Sequence, residues 1–200
     1  MINILSPRLI ITKKEPFKLI GEEEAPEGIL KLRKKVFEAL QNRDLTILKR
    51  LETVCSVLEI PAQSFDVLEW AEVFEGLERL DESWRRLLHQ LKENCKKADM
   101  QSFADFMKNR EAEYEQFLCY LVYRHASKAE FWEDFALYTL FAILSFQLVY
   151  AMGASIFAET GDFTVKKQLD IMRLFSSEIE YSDENLDIIL NKLETGFFGY

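Results

Sequence analysis

Between Phe135 and Ala158 the chain runs for 24 residues, FALYTLFAILSFQLVYAMGASIFA, without an Asp, Glu, Lys or Arg. A helix of that length is long enough to cross a bilayer. Against a membrane span, Tyr138, Thr139, Ser145, Gln147, Tyr150 and Ser155 are scattered through the run, and no Lys or Arg cluster follows it. The flanking segments are amphipathic, and amphipathic helices need something apolar to pack around. A helix apolar on every side supplies it. The run is therefore expected to be the buried centre of a bundle, with no membrane partner.

Turn formers are too few for any alternative built of many strands. There are seven Gly and four Pro in 200 residues, and Pro7, Pro16, Pro26 and Pro61 all fall in the first third. That excludes a β-sandwich or barrel. Extended character is confined to residues 1–27, where Leu9, Ile10, Ile11 and Thr12 lie between prolines. These residues read as an arm or short hairpin on the bundle.

From there the apolar spacing is helical. Ile29, Leu32, Val36 and Leu40 share one face, and Asp44 is the expected cap of a second helix through Ile47, Leu51, Val54 and Leu58. Pro61 stops that helix. Ser64 is expected to cap a helix through Val67, Trp70, Phe74 and Leu77, and another follows from Trp84 to Cys95. Ser102 with Asp105 resembles a capping box for one helix to about Ala126, with Phe106 and Phe117 inward. Ser127 with Glu130 resembles a second box, opening the apolar helix. Gly161-Asp162 ends it, Thr164 opens the next helix, and Ser182 opens the last. The expected fold is all-α: one domain over residues 28–200, of about seven or eight helices around a central apolar helix.

The net charge of −9 argues against a nucleic-acid partner, whose phosphates call for Lys and Arg. KLRKK (Lys31 to Lys35) reads as a solvated helix face in preference to a phosphate patch, and residues 51–200 are strongly acidic. Cys55, Cys95 and Cys119 are few and unclustered, as suits a reducing compartment, and no secretory leader is visible. A cytoplasmic protein is expected. No Gly-rich phosphate or dinucleotide loop occurs, and neither His89 nor His125 has the neighbours of a di-iron or zinc site. No metal and no cofactor are expected.

Three weaker groupings remain. Asp66, Glu69, Glu72, Glu75 and Glu78 recur every three residues, a solvated face or a dock for a Lys-rich partner. His89 and Glu93 are spaced for an ion pair. Tyr123-Arg124-His125 ends an apolar helix, where the two bases suit the C-terminal carbonyls. Arg124 is alternatively held inside by Glu178 or Glu180.

In the C-terminal half, Leu121-Val122-Tyr123-Arg124, the apolar helix, and then Ser176, Glu178, Ile179, Glu180, Tyr181, Ser182, Glu184 and Asn185 together resemble the flagellin lysine-N-methylase family. SPRLIITKKEPFKLI and VFEALQNRDLTILKRL also resemble the family's middle region. The resemblance implies methyl transfer from S-adenosylmethionine to surface lysines of flagellin. Two departures stand out: the family's Cys-rich motif, expected to hold an iron–sulfur or similar centre, does not occur, and Tyr181 stands where the family usually has His. The expectation is a shortened or non-catalytic relative that binds a Lys-bearing protein such as flagellin, using S-adenosylmethionine only if the family activity is retained. Its candidate pocket is Tyr123, Arg124, Glu178, Glu180 and Asn185. The alternative is an all-α interaction module unrelated to methylation.

Overall fold

The computed structural model describes residues 25–126 and 129–198. The expected arm over residues 1–27 lies outside them, except for 25–27, which open the first helix. Ser127 of the expected capping box lies outside them too. Nine α-helices and no strands occur among the described residues: α1 (Ala25–Leu40), α2 (Ile47–Val57), α3 (Val67–Glu75), α4 (Glu82–Asn94), α5 (Met100–Met107), α6 (Glu111–Leu121), α7 (Trp132–Thr160), α8 (Val165–Phe175) and α9 (Asp183–Phe198).

The charge-free run forms α7, and its most apolar window is 89% buried inside the fold. Leu140, Phe141, Ala142, Ile143 and Leu144, consecutive and so pointing to every side of it, are all buried. The helices α3, α4, α5, α6, α8 and α9 each pack on α7, while the α1–α2 hairpin packs on α6. An all-α bundle around a central apolar helix is therefore what the chain forms. At Gly153 two rings come close to the α7 backbone, since a Cβ there would lie 2.9 Å from Phe103 Cζ and 3.0 Å from Phe163 Cζ. Gly161, with φ +69°, ends α7 in the left-handed conformation that glycine adopts without penalty.

Helix starts differ from expectation by a few residues, for a common reason. Asp66, Asp81 and Asp99 accept the free amides at the starts of α3, α4 and α5. Ser64 and Ser102 therefore do not cap; Ser102 Oγ instead donates to Asp99. Helix α2 starts after Thr46 without a side-chain cap, so Asp44 is not its cap either. Thr164 caps α8 as expected, accepting from Lys167 N at 3.2 Å. The single helix expected up to Ala126 is two helices, parted by a tighter turn at Lys108–Arg110. Phe106, expected inward, is partly exposed and leans on Phe157 with ring centres 4.7 Å apart.

The end of α8 is fixed by aromatic packing. Phe175 is fully buried, and its ring centre lies 5.8–6.4 Å from those of Phe74, Trp84, Phe117 and Phe141. It thereby ties α8 to α3, α4, α6 and α7, immediately before the turn that carries the candidate site.

Candidate functional site

Both α6 and α8 end in a widened π-helical turn, Val122–Ala126 after α6 and Ser176–Glu180 after α8. Such turns are rare in helices and recur where side chains must be re-aimed at functional positions. Here the first brings Arg124 and His125, neighbours in sequence, onto the same atom. Glu180 Oε1 lies 3.2 Å from His125 Nε2 and 3.5 Å from Arg124 Nε. Ser176 Oγ donates to Glu180 Oε2.

The Glu180 side chain is wholly buried, whereas that of Arg124 is 35% exposed. Burial is the largest single influence on the Glu180 carboxyl and pushes its pKa up. The hydrogen bonds from His125 and Ser176, with the charges of His125 and Arg124, together outweigh it and hold the pKa below the usual glutamate value. Glu180 is thus an ionised carboxylate inside the protein. His125 is buried as well, edge-on to Phe141 at 5.2 Å and stacked on Tyr138 at 6.3 Å. Tyr120 borders the carboxylate; burial first, and then the Glu180 charge, raise its phenol pKa. Toward solvent, the Arg124 guanidinium lies over the exposed Tyr181 ring, 4.7 Å from its centre.

The five candidate pocket residues separate into three settings. Arg124 and Glu180 meet. Glu178 turns the other way, its carboxylate accepting from Leu80 N and Asp81 N at 2.8 Å each. Asn185 is buried beside it, donating to Glu178 O at 2.8 Å and Glu78 O at 2.9 Å and accepting from Glu78 N at 3.1 Å. These two side chains clasp the α3–α4 connection to the junction between α8 and α9 and give its backbone groups hydrogen-bond partners. Tyr123 is 62% exposed and carries Arg33 over its ring at 5.7 Å.

The other groupings resolve into structure. On α3, Asp66 caps the helix, while Glu69 pairs with Lys192 at 3.0 Å and Glu75 with Lys92 at 2.6 Å. Much of that acidic row is thus engaged within the fold. His89 lies 3.4 Å from Glu93, with both side chains well exposed. A groove of about 830 Å³ runs along α4 here, bounded by Arg86, His89, Glu93, Lys97 and Glu159, and its lining holds charges of both signs.

Sequence reasoning missed two features. It gave His125 to the helix end, although Tyr120 and Arg124, and likewise Ser176 and Glu180, are four apart and so face together. It also missed Arg50, which is buried and bonds Glu115 at 2.9 Å, Glu111 at 3.2 Å and Leu45 O at 2.8 Å. Arg43 grips the same Glu115 with two bonds, of 2.8 and 3.0 Å. Arg50 lies between Ile47 and Val54 on the inward stripe of α2, and that position was the available signal.

Among the described residues no three His, Cys, Asp or Glu side chains are grouped to hold a metal ion. Cys55 and Cys119 are buried on different helices and Cys95 ends α4, so they do not offer the donor set of an iron–sulfur centre.

The fold and site define an all-α domain organised on one apolar helix, with a buried carboxylate between two π-turns. The family model described as the FliB lysine N-methylase C-terminal domain matches residues 20–199, and the chain belongs to that family. No curated protein and no solved structure matches it. Two of the segments that carried the resemblance in sequence, Leu121–Arg124 and Ser176–Asn185, contribute the two π-turns.

Proposed function

We propose that this chain is a non-catalytic lysine-methylase-like domain that binds a lysine-bearing protein such as flagellin. The observation that carries the reading is the meeting of two family-like segments at Glu180. An ionised, buried carboxylate bordered by Tyr120, with the Tyr181 ring beyond it, suits an ammonium group, which is drawn both to negative charge and to aromatic faces. The net charge of −9 adds long-range attraction for a basic partner. The role assigned is recognition in the cytoplasm; S-adenosylmethionine enters only if the family's methyl transfer is retained.

The test is binding of the purified protein to flagellin monomers, unmodified and with lysines acetylated, together with intact-mass measurement of flagellin from a strain lacking the gene. The unmodified form should bind and the acetylated form should not. Equal binding of both, or none of either, overturns the proposal. Loss of methyl groups from flagellin restored by this chain alone would overturn its non-catalytic part.

A further inference from the structure

Arg124 is held loosely for a side chain beside a buried carboxylate. Its Nε stands 3.5 Å from Glu180 Oε1, too far for a good hydrogen bond, and a third of the side chain meets water. Glu180 is meanwhile bonded by His125 and Ser176 without it. The main contact of the guanidinium is the face of Tyr181, itself 67% exposed. A cation on an aromatic face, next to an ionised carboxylate but not bonded to it, has the setting of a bound ligand more than of a strut.

We propose that Arg124 is an internal occupant of a cation subsite formed by Glu180, His125, Tyr120 and Tyr181, and that a lysine side chain of the partner displaces it. This rests on the lysine-bearing partner proposed above. A lysine ammonium is compact, with three donors on a thin stem, whereas a guanidinium is a broad planar fork. The ammonium can approach Glu180 Oε1 closely and make the charge-assisted bond that Arg124 does not. Its methylene stem then lies along Tyr181, where the guanidinium was. Arg124, already partly in water, swings out on its long side chain at little cost. The subsite thus discriminates by reach, and Arg124 weakens every lysine that enters by competing for the same place.

The experiment measures flagellin affinity for the wild-type protein and for Arg124→Ala, Glu180→Gln, Tyr181→Ala and Arg173→Ala, with thermal melts to check folding. Affinity falls by the fraction of molecules whose site is open, so if about one in ten is open, Arg124→Ala should bind about tenfold tighter. Glu180→Gln and Tyr181→Ala should each bind several-fold weaker. Arg173 is an exposed arginine on α8 whose removal changes net charge identically, and its loss should tighten binding by less than about twofold, since exposed charges act through screened water. Should Glu180→Gln fail to fold, Tyr181→Ala decides, because its ring lies mostly outside. If the wild type binds but Arg124→Ala binds no tighter than Arg173→Ala, or Tyr181→Ala leaves affinity unchanged, the subsite falls and the partner stands. If neither the wild type nor Arg124→Ala binds flagellin, the partner falls and the subsite with it.

Discussion

Arg124 and His125 reach the same oxygen of Glu180, yet their contributions to stability should differ severalfold. His125 is almost wholly buried and 3.2 Å from the carboxylate. Replacing it by Ala removes a hydrogen-bond partner from a buried charge, a loss of about 1–3 kcal/mol. It also leaves the space of an imidazole against Phe141 and Tyr138, so the total should be about 3–4 kcal/mol. Arg124 makes no such bond and is 35% exposed, so screening by water leaves Arg124→Ala costing about 1 kcal/mol or less. Had Arg124 been sealed inside with Glu180, its loss would cost roughly 3–5 kcal/mol.

Urea unfolding at pH 7, where Glu180 is ionised, gives the two costs and the two double-mutant cycles with Glu180→Gln. Coupling of His125 to Glu180 should exceed about 1.5 kcal/mol, and that of Arg124 should stay near 0.5 kcal/mol, provided the slopes with urea are unchanged. An Arg124→Ala cost of about 3 kcal/mol, or equal couplings, would refute the assignment of Arg124 as a loosely held group.

Acid should probe the same carboxylate from another side. Because the folded pKa of Glu180 is lowered, its stabilisation is present above the unfolded glutamate value of about 4.3 and is lost as pH falls through the folded pKa. Melting temperatures followed from pH 7 to pH 3 should therefore fall less steeply for Glu180→Gln than for the wild type; parallel curves would contradict this. On α7, Leu144→Asp places an unpaired carboxylate at a site 1% exposed, at a cost of several kcal/mol, enough to unfold a typical domain. An unchanged melt would mean that α7 is not central. Gly153→Ala should cost about 1–3 kcal/mol, since the added methyl must push back the tips of Phe103 and Phe163. Calorimetry showing no loss would mean that those rings shift freely.

The parts of the fold that follow from periodicity were legible in the sequence. The α7 run was readable because a charge-free stretch has only two homes, and its polar side chains argued for the interior. Gly161 and Thr164 were readable because a left-handed turn and a hydroxyl cap are local events. Less legible were choices between neighbouring caps, such as Ser64 against Asp66, which turn on a register of two residues. The site was half legible. Arg124 and Glu180 belonged to the segments that carried the resemblance, but spacing does not reveal a π-turn, and in a regular helix Arg124 and His125 would point about 100° apart. Glu178 and Asn185 are polar residues in the same segment whose targets are backbone groups near Leu80, over 90 residues away, and no sequence pattern marks such partners.

Helix α6 bears a buried ionic cluster at each end, and the contrast between them shows what distinguishes a staple from a site. At its start, Glu115 receives three hydrogen bonds from Arg43 and Arg50, while Arg50 also holds Glu111 and the Leu45 carbonyl. Its charges are closely matched, the bonds are short, and the cluster locks the α1–α2 hairpin to α6. At its other end the carboxylate is just as deeply buried, but the Arg124 guanidinium stands off at 3.5 Å and leans on an exposed ring. A fold that needed only to satisfy the Glu180 carboxylate has the hydrogen bonds of His125 and Ser176 for that purpose. Arg124 therefore adds little to holding the bundle together, and the surface it covers, Tyr181 above and Glu180 below, is where the proposed cation subsite lies.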